Sequence, residues 1–92
     1  MILSLRHPGL RRLYGRDDPR RVSQEHLGKL RNIPARLDVA EGPEDMDLPG
    51  FRLHPLRGKR SGAWAVTVRA NWRVTFRFKG QDVADVNYED YH

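Results

Sequence analysis

From Phe51 to Tyr88 the apolar residues fall on every second position, in runs separated by turn residues. A period of two marks a strand with one buried face, so this part of the chain is predicted to be a small antiparallel meander. Phe51 and Leu53 alternate with Arg52 and His54, and Pro55 confines that strand to an edge or an end. Arg57-Gly58-Lys59-Arg60-Ser61-Gly62 reads as a basic turn. Trp64, Val66 and Val68 then alternate with Ala65, Thr67 and Arg69. Ala70-Asn71 is a candidate two-residue turn, with Asn71 the residue tolerant of positive φ. Trp72, Val74, Phe76 and Phe78 alternate with Arg73, Thr75, Arg77 and Lys79. After a turn at Lys79 to Asp82, Val83 to Tyr88 forms the last strand, with Val86 and Tyr88 pointing inward.

The first half has a different period. Met1 to Arg6 reads as a short first strand, broken by His7-Pro8-Gly9. Leu10, Leu13 and Tyr14 stand at i, i+3 and i+4 on one face of a short helix, with Arg11, Arg12 and Arg16 turned away. Ser23 is the expected N-cap of a second helix, with Glu25 in its first turn. Its stripe is Leu27, Leu30, Ile33, Pro34, Leu37 and Ala40, and Pro34 predicts a kink or a split. The 92 residues therefore make one α+β domain, 1–92, in the order β-α-α-β-β-β-β. The helices are the only cover for the aromatic face of the sheet, so both pack on that face. No apolar run approaches the roughly 18–20 residues of a membrane span. The apolar start, Met1 to Leu5, is too short for a signal peptide. The absence of cysteine rules out disulfides and thiolate zinc sites and fits a cytoplasmic protein.

Charge is segregated along the chain. Asp38 to Asp47 holds five acids and no base, whereas Leu48 to Gln81 holds eight bases and no acid. With a formal charge of +5 and arginine far outnumbering lysine, this is a field suited to a polyanion. The sheet face away from the helices carries Arg52, His54, Thr67, Arg69, Arg73, Thr75 and Arg77 and is predicted to be open and acid-free. The chain ends in Asn87-Tyr88-Glu89-Asp90-Tyr91-His92, a cluster of groups able to move protons or donate hydrogen bonds. This hexapeptide is expected to fold back beside the basic face and complete a site there.

Three separated stretches resemble one family. They are Glu44-Asp45-Met46-Asp47-Leu48-Pro49-Gly50-Phe51-Arg52-Leu53-His54-Pro55-Leu56, the run from Gly62-Ala63-Trp64 through Asn71-Trp72-Arg73-Val74-Thr75-Phe76, and the terminal hexapeptide. Together they resemble the HigB-type killer toxins of the RelE/ParE superfamily, weakly over the first forty residues and closely from Glu44 onward. The resemblance implies two helices on one face of a small antiparallel sheet. It implies an mRNA endoribonuclease that works on the translating ribosome without a metal or any other cofactor. It also implies a helix-turn-helix antitoxin, HigA-like, as partner. Pro34 departs from the uninterrupted second helix the family would have.

Metal-free RNA cleavage needs a base for the 2′-hydroxyl, cations for the phosphorane, an acid for the 5′-oxygen and groups that align the backbone. An isolated His54 would read as a surface histidine; inside this motif it becomes a site residue. The implied catalytic set is His54, Arg57, Arg73, Asp90, Tyr91 and His92. Arg73, then Arg57, would stabilise charge on the phosphate. Asp90 or His54 would be the base and His92 the acid, with the His92 carboxylate beside its own imidazole raising its pKa. Tyr91 would stack on a base or bond the phosphate. Arg52, Lys59, Arg60, Arg69, Arg77 and Lys79 would hold flanking RNA. Tyr88 is assigned to the core, Asn87 and Glu89 to the strand end, Trp64 and Trp72 to the core, and His7 and His26 to the surface. Two other readings stay open: a gyrase-poisoning toxin, and a non-catalytic module that binds RNA or the ribosome. Neither needs His54 or His92.

Overall fold

The structure, a computed structural model, describes residues 1–90. Helix α1 spans Pro8–Arg16 and α2 spans Leu27–Val39. The strands are β1 His54–Pro55, β2 Ala63–Arg69, β3 Trp72–Lys79 and β4 Asp82–Asp90. They pair antiparallel in the order β1-β2-β3-β4. Leu10 and Leu13 of α1 and Leu30, Ile33 and Leu37 of α2 pack with Val66, Val74, Phe76, Val83 and Val86 in one core. Each such side chain withdrawn from water stabilises the fold by about 1.5–3 kcal/mol. Among the described residues no helix is long and apolar enough to cross a membrane.

Several local expectations are corrected. Met1 to Arg6 is not a continuous strand; it meets β4 in two parallel bridges, Ile2 to Val83 and Leu5 to Val86. Between them β4 bulges at Asp85 (φ 56°), and the Asp85 N–H donates to Ser4 Oγ at 2.8 Å. The bulge breaks the ladder, and backbone bonds on either side of it still hold the segment to β4. Helix α2 is not split: it runs through Pro34, whose ring is fully buried. Burial of the ring offsets the backbone bond it removes. Ser23 does not cap α2; it precedes a 3-10 turn, Gln24–His26, and makes no side-chain capping bond. At the β2–β3 turn Ala70, not Asn71, holds the positive φ (52°). Tyr14 is 41% exposed although its spacing put it on the buried face.

Two histidines expected at the surface have structural work. His26 is buried, and its Nδ1 lies 2.6 Å from the Tyr88 hydroxyl. Trp72 stacks on Tyr88 at 4.6 Å between ring centroids, so the turn that leads into α2 is tied to β3 and β4. Burial pushes the Tyr88 hydroxyl above its ordinary pKa; a backbone bond at Ser23 acts against this and the charge of Asp90 adds to it. His7 is the N-cap of α1, where its Nδ1 accepts the N–H groups of Gly9 and Leu10 at 3.0 and 3.2 Å, with Pro8 at the first helical position.

An acceptor at Nδ1 must be unprotonated, and burial lowers the His7 pKa below the ordinary 6.5. The unfolded chain thus takes up this proton at a higher pH than the folded chain does. The His7 contribution is complete above the unfolded pKa and is lost as pH falls through the folded one. Acidification from pH 7.5 to 5 is therefore expected to cost part of a capping interaction worth about 1 kcal/mol. Melting curves of wild type and His7→Asn across that range check this, because asparagine caps without titrating and should remove that component of the slope.

Candidate active site

The turn before β1 sets the site. Leu48-Pro49-Gly50-Phe51 closes with Phe51 N–H on Leu48 C=O at 3.0 Å, and Gly50 takes φ 84°. Proline then glycine at the two central positions is the type II arrangement, and glycine supplies the positive φ there. Phe51 C=O accepts the Thr67 N–H of β2 at 2.7 Å, and its ring is buried in the core. Arg52 follows at φ 52°. The expected alternation of burial holds, with Phe51 buried, Leu53 packed against the core and Arg52 and His54 exposed, but the left-handed Arg52 interrupts the extended backbone, so β1 keeps only His54 and Pro55. It also aims its carbonyl at His54, whose Nδ1 lies 2.9 Å from Arg52 O.

A carbonyl can only accept, so His54 donates Nδ1–H to it. In the neutral ring Nε2 is then the basic nitrogen. Across the sheet His54 pairs with Ala65, Ala65 with Thr75, and Thr75 with Asn87. The next row is Thr67, Arg73 and Glu89. Ala65 and Thr75 are buried. From the 3-10 turn Gly58–Arg60, Arg60 Nη2 reaches across to Thr75 Oγ1 at 3.4 Å. Between β1, this turn and β3 is a cleft of about 370 Å³ lined by His54, Pro55, Leu56, Arg57, Arg60 and Arg73.

This face is not free of acid. Glu89, assigned from the sequence to the strand end, stands opposite Arg73 and holds two arginines. Its Oε1 accepts from Arg73 Nε at 3.2 Å, Arg73 Nη2 at 3.0 Å and Arg60 Nη1 at 2.5 Å. Its Oε2 accepts from Arg60 Nη2 and Asn87 Nδ2, both at 3.2 Å. Burial alone would push the Glu89 carboxyl up, but the hydrogen bonds and charges of Arg60 and Arg73 outweigh it and hold the pKa below the ordinary value. The same pairing raises Arg60. Arg60, expected to hold flanking RNA, is thus part of the cleft wall. The signal for Glu89 was available only through strand register.

The other expected site residues spread outward. Asp90 is the Cα partner of Trp72, one position beyond the Arg73–Glu89 pair, and does not line the cleft. Tyr91 and His92 lie outside the described residues. Arg52 exposes its side chain while its carbonyl serves His54. Lys59 is exposed on the Gly58–Arg60 turn. Arg77 Nη1 donates to Ser61 C=O at 3.3 Å and lines a neighbouring small cleft with Arg6, Arg60 and Asn87. Arg69 is exposed and reaches Glu25 at 3.5 Å. Lys79 ends β3, roughly 20 Å along the strand from Arg73 at the usual rise per residue. Among the described residues no three His, Cys, Asp or Glu side chains cluster around a point that would hold a metal ion.

Solved structures share this architecture. The YoeB/ParE toxin from Agrobacterium tumefaciens superposes with a TM-score of 0.56 at 19% identity, covering 79% of this chain and 80% of that one. A point mutant of YafQ from E. coli superposes with a TM-score of 0.53 at 16% identity, covering 95% of this chain and 91% of that one. At the level of sequence the chain is 38% identical over 92 residues to Endoribonuclease HigB of Proteus vulgaris, with 100% of both chains covered. Residues 3–92 match the family described as RelE-like toxin of type II toxin-antitoxin system HigB. With a full-length relative and a family match over nearly the whole chain on a RelE-like fold, the chain belongs to the HigB-like toxins of type II toxin–antitoxin systems, whose members have an antitoxin as partner.

Proposed function

We propose that this toxin is an mRNA endoribonuclease that cleaves on the translating ribosome, in the cytoplasm, and is restrained by a helix-turn-helix antitoxin of the HigA type. The endoribonuclease assignment follows the family and the full-length relative of that name. The observation that carries the chemistry is His54, fixed through Nδ1 and left with Nε2 as its basic nitrogen, in a cleft shared with Arg57, Arg60 and Arg73. His54 takes the proton of an RNA 2′-hydroxyl, and the 2′-oxygen attacks the adjacent phosphorus. Arg73 and Arg57 balance the charge that builds on the phosphoryl oxygens. The P–O5′ bond breaks, the 5′-oxygen receives a proton, and the products are a 2′,3′-cyclic phosphate and a 5′-hydroxyl. In this scheme His92 supplies that proton, while Asp90 and Tyr91 orient the groups around it.

The test is induced expression of the whole chain and of a chain truncated before Asp90, followed by mapping of mRNA 5′ ends. New 5′ ends within translated messages are expected for the first and not for the second. Intact messages accompanied by DNA breaks would replace the proposal with gyrase poisoning. Cleavage that survives the truncation would remove Asp90, Tyr91 and His92 from the mechanism.

A further inference from the structure

Glu89 puts a negative charge on the wall of a cleft that has to receive a negatively charged phosphate. On charge alone it opposes binding. Its geometry serves another purpose. The carboxylate is the meeting point of Arg73, directly across the strand pair, and Arg60, which comes from the 3-10 turn after β1. Asn87 of the same strand adds a third donor and fixes the carboxylate from its own side. Arg57 immediately precedes that turn and lines the cleft, so anchoring Arg60 to β4 also anchors the segment that presents Arg57.

An arginine side chain has many rotamers to lose, and a cation that must be ordered during the reaction contributes less than one already in place. We propose that Glu89 is a positioning residue: its carboxylate orients Arg73 and locks the Arg57-bearing turn through Arg60, at the expense of RNA affinity. This rests on the reading of the cleft as the RNA cleavage site. It assigns Glu89 no contact with RNA and no proton transfer.

The experiment compares wild type, Glu89→Gln and Glu89→Asp in cleavage on programmed ribosomes, with kcat and KM determined separately. Loss of the carboxylate charge is expected to lower kcat by roughly 10–100-fold, the scale of misplacing a catalytic group by about 1 Å. KM should stay level or fall, because an anion near the phosphate has been removed. Glu89→Asp keeps the charge on a shorter arm and should recover part of the lost kcat. Unchanged kcat in Glu89→Gln would overturn the proposal. So would a fall in kcat with a raised KM that aspartate does not rescue, the result expected of a merely structural side chain.

A second measurement is independent of activity: carboxyl carbon NMR of Glu89 in the full chain. Its titration should lie below that of an ordinary glutamate and move up in Arg60→Ala and in Arg73→Ala. No movement in either variant would refute the coupling. If wild type cleaves no RNA while the titration behaves as stated, the cleavage reading fails and the two-arginine clamp remains.

Discussion

Replacing His54 with alanine should lower the rate of RNA cleavage by roughly 10²–10⁴-fold, the range that one positioned acid–base group contributes. The fold should be little affected. His54 is exposed on a two-residue edge strand, and its ring bonds a carbonyl two residues back. An exposed substitution of this kind ordinarily changes stability by less than about 0.5 kcal/mol. The informative companion is His54→Gln. A glutamine amide can still donate to Arg52 C=O, so it keeps the contact and lacks the basic nitrogen. If His54 moves a proton, glutamine and alanine should be equally slow in single-turnover cleavage. If His54 only props the Arg52 turn, glutamine should recover most of the rate. Growth arrest that persists in both variants with messages intact in wild type would fit a toxin that does not cut RNA.

The strands and helices were legible because burial imposes a period, and Val66, Val74 and Phe76 or Leu10 and Leu13 show it directly. What the sequence concealed depends on register. From Arg77 paired with Ala84, an unbroken ladder would set Arg73 opposite Tyr88. The bulge at Asp85 inserts one residue, so Arg73 instead meets Glu89 and Val74 meets Tyr88. One local backbone choice, held by the Ser4 hydroxyl, therefore puts the carboxylate on the cleft face and the tyrosine on the core face. Alternation along β4 alone carries no such information. His7 and His26 were missed for a related reason. Each is explained by a partner, the first turn of α1 for one and Tyr88, 62 positions away, for the other. A histidine scanned for metal spacing or catalytic neighbours has no signature for capping a helix or bonding a buried phenol. The positive φ of Arg52 was equally hidden, since arginine has no local preference for that conformation.

Arg73→Ala is expected to lose about 10²–10³-fold in kcat, comparable with removal of one preorganised donor to a developing oxyanion. It should also cost stability, in contrast to His54→Ala. The Arg73 side chain is only 11% exposed and shares Glu89 with Arg60. Its removal leaves a part-buried carboxylate with fewer donors, a loss of about 1–3 kcal/mol. Arg73→Lys should restore the charge without restoring the rate. An ammonium on a flexible stem cannot reproduce the Nε and Nη2 contacts that Arg73 makes to one oxygen of Glu89, nor offer a phosphate further donors held in the same plane. The decisive comparison is the double variant Arg73→Ala with Glu89→Gln. Should Glu89 act mainly through Arg73, the double variant will be scarcely slower than Arg73→Ala alone. Should the two act independently, their losses will multiply. A smaller additional loss, carried by Arg60 and the turn before it, would measure how much of the clamp serves Arg57.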